Sequence, residues 1–505
     1  MQLYIIYYKP QGRPGKLGRN QMSSMLQLSV RDEGRTIERV NPATGEIASS
    51  EHACDLNDCS HFAAQAAAAF PNWSTTPVEK RAALLKAAAD VLEASSDELC
   101  ASMIQEIGAP LNWARHNVSF AAEILREVAT YASEVERSED IPDKTGVISQ
   151  AVKAPCGVCL GIVPWNAPLI LGVRAIAAPL LCGNTVILKG NEIAPKTFRL
   201  LGEALEKAGI PTGVLQVILT RTEDSEAAVE ALISSPVVRR VNFTGSTRVG
   251  RRVAELCAKH LKRPLLELGG QANLLVLDDA NIETAATAIV YGAFLNQGQI
   301  CMSTERLIVV NSVADALVTR IEELRGALKL GNPENSETQI GPVISVAAAE
   351  RLSLLISDAV SKGARLIGGG GMRDAFVEPT ILDGIEPDMR LYHEEIFGPI
   401  LSITRVANDA EAITVANDSE YGLSSAVFSE NTNHAYAIAH QLQTGICHIN
   451  RATIDDNPHA PFGGVKSSGY GRFGGRWAIN EFTELRWITS VTSQFKNDLT
   501  TKGRK

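Results

Sequence analysis

The sequence predicts an α/β protein built on parallel sheets, and three observations support this. Short β-branched runs such as "LGIVPW", "NTVILKG", "VLQVIL" and "VRRVNFTG" recur from residue 160 onward. Helical stretches such as "TFRLLGEALEKAG" separate them, and strands that alternate with helices form βαβ units covered on both faces. A second set runs from "IETAATAIV" through "RLIVV" to "VEPTIL". A chain of 505 residues is also too long for one ordinary core, so we expect roughly two to four domains.

The segments on either side of these βαβ units have different patterns. "EKRAALLKAAADVLEASSDELCASMIQEIG" combines strong helix formers with apolar residues at helical spacing. "GVISQAVKAPCGVCLGIV" is β-like, and we expect part of it to leave the domain as an arm. The tail "NEFTELRWITSVTSQ" is strand-like and apolar on one side. An exposed terminal strand usually pairs with another chain, which here predicts a second subunit.

Residues 1–25 are basic, without an acid, and rich in glycine and proline. Their composition fits a transit peptide, but they lack the amphipathic periodicity of one. The sequence therefore predicts a disordered N-terminal extension.

Charge and hydropathy exclude several classes of protein. The chain has 48 basic and 57 acidic residues, a net charge of −9, which disfavours nucleic acid as a partner. The most apolar stretch, "LILGVRAIAAPLLCG", is interrupted by Arg174 and Pro179 and predicts a buried helix rather than a membrane span. We therefore expect neither a nucleic-acid partner nor a membrane.

Cysteine usage indicates a reducing compartment, and we predict the cytoplasm. The nine cysteines are odd in number and scattered without framework spacing. Cys156 and Cys159 form a CxxC, but "CGVCLGIV" has the pattern of an apolar strand, and no second cysteine pair or histidine cluster follows. No metal site is expected.

Two strand-to-helix junctions are candidates for a ligand, because ligands of parallel sheets bind where strands end. In "TVILKGNE", Lys189 and Glu192 are suited to a phosphate or ribose hydroxyl, although an ordinary exposed charge pair would look the same. In "VNFTGSTRVG", Gly245 opens a turn in which Ser246 and Thr247 are potential helix caps. This is not the usual GxGxxG fingerprint, and a turn without a ligand would look similar.

Three further residues suit carbonyl chemistry. Glu267 lies in the apolar run "PLLELGGQANLLVL", where burial would raise its pKa toward that of a general base; alternatively, it caps a turn. Cys301 in "NQGQICMST" is a core residue, a redox thiol or a nucleophile. Asn166, held stiffly in "PWNAP", is a potential amide donor to an oxyanion.

Together these motifs resemble the NAD(P)-dependent aldehyde dehydrogenase superfamily. The resemblance extends over nearly all of residues 35 to 490, and so many motifs in one order are hard to produce by chance. The motifs are, in chain order, "NPATGE", "PWNAP", "LKGNE", "FTGSTRVG", "LELGG", "NQGQICMST", "GPVI", "HEEIFGP", "YGLSSAVFS" and "PFGGVKSSGYGR".

The resemblance implies an enzyme and a mechanism. Cys301 resembles the nucleophile that adds to the aldehyde, giving a thiohemiacetal and then a thioester. Asn166 and the Cys301 backbone N–H resemble the oxyanion hole, and Glu267 resembles the base that activates water for hydrolysis. The residues that match cofactor contacts are Trp165, Lys189, Glu192, Gly245, Ser246, Glu395 and Phe397. Glu192 favours NAD over NADP, because its carboxylate would repel a 2′-phosphate; NADP remains a second cofactor.

The resemblance also implies a Rossmann-like cofactor domain, an α/β catalytic domain and a small β oligomerisation arm of a homodimer or homotetramer. Residues 26–138 and 159–267 would form the NAD-binding domain and residues 268–479 the catalytic domain. The arm would comprise residues 139–158 and 480–496, followed by a flexible tail at 497–505.

One position departs from the family pattern. Many members have glutamate after the "GR" of the last motif, where this chain has Phe473. We expect Glu267 to act without that second carboxylate, or with water in its place.

Two segments, "PLILGVRAIAAPL" and "NPHAPFGGVKSSGYGRFGG", resemble the aromatic-aldehyde branch of the family. This branch includes salicylaldehyde, vanillin and benzaldehyde dehydrogenases, so the resemblance implies an aromatic aldehyde as the substrate. Trp113, Arg174 and Ile454 are the candidates to line the substrate tunnel. Arg174 would meet a hydroxyl or acid substituent of the ring, or it is an ordinary surface or helix-packing arginine. The alternatives are a broad-specificity aliphatic aldehyde dehydrogenase, a CoA-acylating enzyme and a non-catalytic binding or structural protein. Glu267 disfavours the CoA reaction, and the intact set of Cys301, Glu267, Asn166 and Lys189 disfavours a structural role.

Overall fold

A computed structural model describes residues 35–144 and 146–491 of the chain. The predicted N-terminal extension (1–25), the tail (497–505) and the last residues of the predicted arm lie outside the described residues. The described residues from Thr36 to Val491 belong to one compact unit.

The first part of the described chain is mainly helical. It contains, in order, β1 (Thr36–Val40), β2 (Ile47–His52), α1 (Leu56–Ser74), α2 (Val78–Ala94), α3 (Ser96–Ile107), α4 (Leu111–Thr130), α5 (Ala132–Glu136), β3 (Glu139–Asp140) and β4 (Val147–Pro155). Asp55 caps α1, accepting hydrogen bonds from the backbone N–H groups of Asn57 and Asp58.

The middle part alternates strands with helices, as predicted. It contains β5 (Val158–Ile162), α6 (Pro168–Leu181), β6 (Thr185–Lys189), α7 (Pro195–Lys207), β7 (Leu215–Ile218), α8 (Ser225–Ser234), β8 (Val238–Thr244), α9 (Thr247–Lys259) and β9 (Arg263–Glu267). Every residue of α6 is buried, including Arg174, which confirms the predicted buried helix. Cys159 lies in the fully buried β5, as the strand interpretation of the CxxC predicted.

The last part repeats the alternation, with several additional short strands and helices. It contains β10 (Ala272–Val276), α10 (Ile282–Phe294), β11 (Thr304–Val310), α11 (Asn311–Gly326), α12 (Val346–Ser361), β12 (Arg365–Gly368), β13 (Met372–Arg373), β14 (Phe376–Val377), β15 (Thr380–Asp383), α13 (Arg390–His393), β16 (Ile400–Val406), α14 (Asp409–Asn417), β17 (Ser424–Phe428), α15 (Thr432–Ala439), β18 (Ile446–Ile449), β19 (Gly469–Tyr470), α16 (Trp477–Glu481) and β20 (Thr483–Val491).

Two larger sheets organise the molecule and confirm the predicted α/β class. One has the order β19-β9-β8-β5-β6-β7 and the other β12-β15-β16-β11-β10-β17-β18. Pairing is parallel except at the edge strands β19 and β12. Helices α2, α4 and α6 pack on one another beside the first sheet, and their apolar side chains form the largest core.

The predicted domain boundary after residue 267 separates the strands of the first sheet from those of the second, with the exception of β19. β19, within the predicted catalytic segment, adds to the first sheet, and its Gly469 pairs with Glu267. The domain limits themselves stay a prediction.

A third, small sheet has the order β20-β4-β3. β20 pairs antiparallel with β4 from Thr483 opposite Pro155 to Val491 opposite Val147. Among the described residues, every helix is too short or too polar to cross a bilayer.

Candidate active site

Cys301 lies in the connection between α10 and β11, at the carboxyl side of a left-handed turn. Asn296 has φ 50° and Gln297 φ 56°, a conformation that non-glycine residues rarely adopt. The turn is held by the Gln297 side-chain amide, which donates to the carbonyls of Pro342 (2.9 Å) and Gly108 (3.3 Å). Cys301 itself is partly exposed, so the described fold leaves it accessible while fixing its backbone.

Gly270, in the "LELGG" motif, allows the backbone before β10 to approach the cysteine. A Cβ atom on Gly270 would lie 2.1 Å from the Cys301 carbonyl oxygen, well inside van der Waals contact. Only glycine fits this approach without displacing the Cys301 backbone.

Glu267 ends β9 and is 1% exposed. Within the described part of the chain, neither of its carboxylate oxygens has a hydrogen-bond partner, whereas a turn-capping carboxylate would accept backbone N–H groups. Burial raises the pKa of Glu267 to about 8, partly offset by the neighbouring Cys301 thiol. The turn-cap interpretation therefore does not describe this residue.

The pKa of the Cys301 thiol is raised as well. Burial is the main cause and the Glu267 carboxylate the second, and together they hold the pKa well above the ordinary value of a thiol. At neutral pH both groups retain their protons, and removing one proton makes the other harder to remove.

Asn166 lies in the loop between β5 and α6, beside the cysteine. Its side-chain Nδ2 donates to the backbone carbonyl of Gln299 at 2.9 Å, and its backbone carbonyl accepts from Trp113 Nε1 at 3.0 Å. An amide nitrogen carries two hydrogens, so the second can serve an oxygen placed at Cys301.

Two cavities meet at Cys301, and Asn166 and Leu171 line both of them as well. The first has a volume of about 160 Å³ and is mainly aromatic and aliphatic. The three residues predicted for the substrate, Trp113, Arg174 and Ile454, line this cavity. Lining residues that the sequence analysis missed include His116, Phe120, Tyr291, Met302, Asp455, Asp456 and Phe462.

The second cavity, of about 290 Å³, lies on the other side of Cys301. It is lined by Glu267 and by five residues predicted to bind the cofactor, Trp165, Gly245, Ser246, Glu395 and Phe397. It shares Trp165, Gly245 and Ser246 with a third cavity of about 520 Å³, which Lys189 and Glu192 also line. All seven predicted cofactor residues therefore line two adjoining cavities.

The third cavity has the features of a nucleotide site. Lys189 Nζ lies 3.1 Å from a Glu192 carboxylate oxygen, and Lys189 is 3% exposed, so the pair is not an ordinary surface one. Ser246 caps α9 by accepting from the Val249 N–H, which directs the positive end of this helix to the cavity. A Cβ on Gly245 would lie 2.6 Å from the Phe243 ring, so the turn stays open only with glycine.

Glu395 and Phe397 are positioned by a buried residue that sequence reasoning missed, Glu305. The Glu305 carboxylate accepts from the backbone N–H groups of Ile396 and Phe397, both at 2.8 Å. Phe397 has φ 49°, so these bonds hold a left-handed residue in place. Glu395 accepts from the Gly270 N–H at 2.8 Å, and burial raises its pKa to about 7. No local pattern in "TERLIVV" distinguishes Glu305 from a solvated strand residue.

Arg174 is neither a surface residue nor a simple helix-packing one. Its guanidinium pairs with Asp456 at 2.7 Å and lies 4.0 Å above the Phe462 ring. All three residues line the first of the two cavities that meet at Cys301.

Phe473, which replaces the common glutamate, is 1% exposed and packs in the largest core. Its backbone exchanges two hydrogen bonds of 2.8 Å with Phe462. A carboxylate in this apolar place would be costly to ionise, which suits the absence of one.

Comparison with known proteins shows which proteins the chain is similar to. Residues 29–488 match the Aldehyde dehydrogenase family. The vanillin dehydrogenase of Pseudomonas fluorescens is 51% identical, over 90% of this chain and 95% of that protein. The crystal structure of a salicylaldehyde dehydrogenase from Pseudomonas putida G7 complexed with salicylaldehyde superposes with a TM-score of 0.89 and 44% identity, covering 91% and 95% of the two chains.

A third relative is an NAD-dependent aldehyde dehydrogenase from Sinorhizobium meliloti. Its structure superposes with a TM-score of 0.88 at 34% identity, over 91% of this chain and 92% of that one. A family match over most of the chain, together with relatives of this similarity, shows that the chain belongs to the aldehyde dehydrogenase family.

Proposed function

We propose that the protein oxidises an aromatic aldehyde to the carboxylic acid with NAD, through a thioester on Cys301. The observation that carries this proposal is the place of Cys301 at the junction of two cavities, one mainly aromatic and aliphatic and one with the features of a nucleotide site. The vanillin and salicylaldehyde dehydrogenases among the relatives support an aromatic substrate.

The residues of the site divide the reaction into two stages. In the first, the Cys301 thiol releases its proton to water and Sγ adds to the aldehyde carbon, while the Asn166 amide and the Cys301 backbone N–H stabilise the oxygen anion. Bound NAD would supply the hydride acceptor for this carbon. In the second stage Glu267 takes a proton from water and the hydroxide adds to the thioester. The carbon–sulfur bond then breaks, and Glu267 returns the proton to Cys301 Sγ, which releases the carboxylic acid and restores the thiol.

The cofactor fits the third cavity. The N-terminal end of α9 suits a pyrophosphate, and Lys189 and Glu192 suit the hydroxyls of a ribose. We propose NAD as the main cofactor because the Glu192 carboxylate would repel the additional phosphate of NADP. The NAD-dependent relative supports this preference.

The location and assembly belong to the proposal as well. Nine cysteines, all free in the structure, suit the cytoplasm. The small sheet with its outer strand β20 suits pairing with a second copy, as a homodimer or homotetramer.

NADH formation with a panel of aldehydes tests the function. Wild type and Cys301→Ala are compared on benzaldehyde, salicylaldehyde, vanillin, acetaldehyde and a long-chain aldehyde, without and with coenzyme A. We expect CoA-independent turnover, highest with an aromatic aldehyde and abolished in the variant. Preference for acetaldehyde or the long-chain substrate would replace the aromatic assignment by the aliphatic one. A strict requirement for coenzyme A would assign the acyl-transfer reaction instead.

A further inference from the structure

The first cavity at Cys301, which we assign to the aldehyde substrate, has in its wall a buried ion pair that the reaction scheme does not use. Arg174, on α6, and Asp456, in the segment after β18, pair at 2.7 Å, with side chains 5% and 14% exposed. The Phe462 ring lies against the guanidinium at 4.0 Å. Since Arg174 is held from two sides, its charge stays at a fixed place in the cavity wall.

A buried arginine without a counter-charge would attract an anionic substrate. In a weakly polar site, an uncompensated guanidinium gains far more from a carboxylate than it does in water. Here Asp456 already provides that carboxylate, so a second one brought by the substrate would face a like charge.

The other ionisable residues of the cavity do not replace this balance. Asp455 lines it as well but pairs with Arg451, at 2.7 Å, whose side chain is 64% exposed. His116 stacks between Trp113 and Phe120, and burial lowers its pKa, which leaves the ring neutral near pH 7. Arg174 and Asp456 therefore decide the charge that a ring substituent meets.

We propose that Asp456 sets the charge selectivity of this site: by neutralising Arg174, it admits neutral aromatic aldehydes and excludes those that carry a carboxylate on the ring. The inference rests on the proposed aldehyde oxidation and adds to it the residue that selects among substrates. Asp456 acts through Arg174 and through direct repulsion of an anion.

The test compares substrates of equal shape and different charge. The three isomers of carboxybenzaldehyde are each paired with the nitrobenzaldehyde of the same ring position, because a nitro group has the shape of a carboxylate without its net charge. For wild type we expect kcat/KM to be at least about tenfold lower for each carboxylate than for its nitro partner. The ratio of kcat/KM for the carboxylate to kcat/KM for its nitro partner measures the selectivity. In Asp456→Asn, which keeps an acceptor for Arg174, this ratio should rise about tenfold or more for at least one isomer.

Two control variants separate this role from a general effect of charge or packing. Asp455→Asn removes a neighbouring carboxylate of the same cavity and should leave the ratio as in wild type. Arg174→Gln combined with Asp456→Asn should abolish the gain, because the cation that would bind the substrate is absent. Thermal melting of each variant reports whether it folds.

The outcomes are distinct. A ratio unchanged in a folded Asp456→Asn protein, or an equal gain in Asp455→Asn, would overturn the inference and leave the pair a structural one. If Asp456→Asn does not fold, equal wild-type rates for the carboxylate and nitro substrates would overturn it, and the expected difference would support it. If wild type oxidises neither benzaldehyde nor its nitro derivatives, it is the proposed function that fails.

Discussion

Glu267 and Cys301 are two acidic groups that affect each other's ionisation: the Glu267 carboxylate raises the pKa of the Cys301 thiol, whereas the thiol lowers the pKa of Glu267. Burial is the main cause that raises the pKa of each group, because each is charged only when it has lost its proton. Both groups therefore keep their protons near neutral pH. This arrangement stores the nucleophile as a thiol and leaves Glu267 with a pKa of about 8, within reach of the pH at which a base must accept and return protons.

The pH dependence of thioester hydrolysis follows from this pKa. Below about pH 8 the Glu267 carboxyl keeps its proton and cannot take one from water; above it the carboxylate is the active form. The hydrolysis rate of wild type should therefore rise with pH through a midpoint near 8. Glu267→Gln should be slower by about 100- to 10,000-fold and lose this midpoint, as measured by single-turnover acid release.

Glu192→Gln is the matched control, because it makes the same substitution on the cofactor side of the site. It should retain the midpoint of wild type. A wild-type profile without this rise, or a Glu267→Gln variant that keeps it, would show that another group is the base.

At the scale of elements, the site is built from loops that follow strands of both sheets. The loop after β5 brings Asn166, the end of β9 brings Glu267, and the connection before β11 brings Cys301. Glu305, near the start of β11, extends this assembly to the segment before β16 by binding the backbone of Ile396 and Phe397. One strand thus orders both the cysteine connection and a wall of the cofactor side.

Glu305→Gln tests this positioning role. Both Glu305 oxygens accept an N–H, and a glutamine turns one acceptor into a donor that faces a donor. We expect the KM for NAD to rise about tenfold and kcat to change less, in steady-state measurements at saturating aldehyde.

Glu394→Gln is its control, since Glu394 pairs with Arg390 and its side chain is 43% exposed. That variant should keep the KM of wild type. An equal effect in both variants, or none in Glu305→Gln, would contradict the role given to Glu305.

The alternating strands and the candidate nucleophile were predictable because both depend on short stretches of sequence. The run that became β5 and the centre of β6 are apolar, as buried parallel strands are. Cys301 was recognisable through the motifs that accompany it rather than through its immediate neighbours.

The contacts that complete the site were not predictable in this way. Glu305 binds residues 91 and 92 positions away, and Arg174 pairs across 282 positions. Such contacts depend on how the two sheets meet, and no local pattern encodes them. The left-handed Asn296 and Gln297 escaped notice for the same reason, because their conformation is held by Gly108, Pro342 and Asn166.

At the scale of the whole molecule, β20 is a long strand that is exposed over nearly all of its length. Apart from Thr483, its residues are exposed, and they include Leu485 (75%), Trp487 (68%) and Ile488 (48%). An edge strand with exposed apolar side chains is open to pairing and aggregation unless another chain covers it. We therefore expect a second copy to cover it in solution.

Size-exclusion chromatography with light scattering checks this expectation. Wild type should elute as a dimer or tetramer, and Leu485→Glu combined with Trp487→Glu should elute as a smaller species, because buried like charges oppose association. Leu354→Glu, at a site 61% exposed on α12, should elute as wild type. A monomeric wild type, or a double variant of unchanged size, would contradict the assembly.

The central claim is that Cys301 carries the acyl group during oxidation, and trapping that group tests it most directly. Glu267→Gln is incubated with benzaldehyde and NAD, quenched in acid and examined by intact and peptide mass spectrometry, while NADH is followed by absorbance. We predict a burst of one NADH per active site and one benzoyl group on the peptide that contains Cys301, both absent when Cys301→Ala is added to the variant. A burst without a covalent adduct, or an adduct on another residue, would contradict the account.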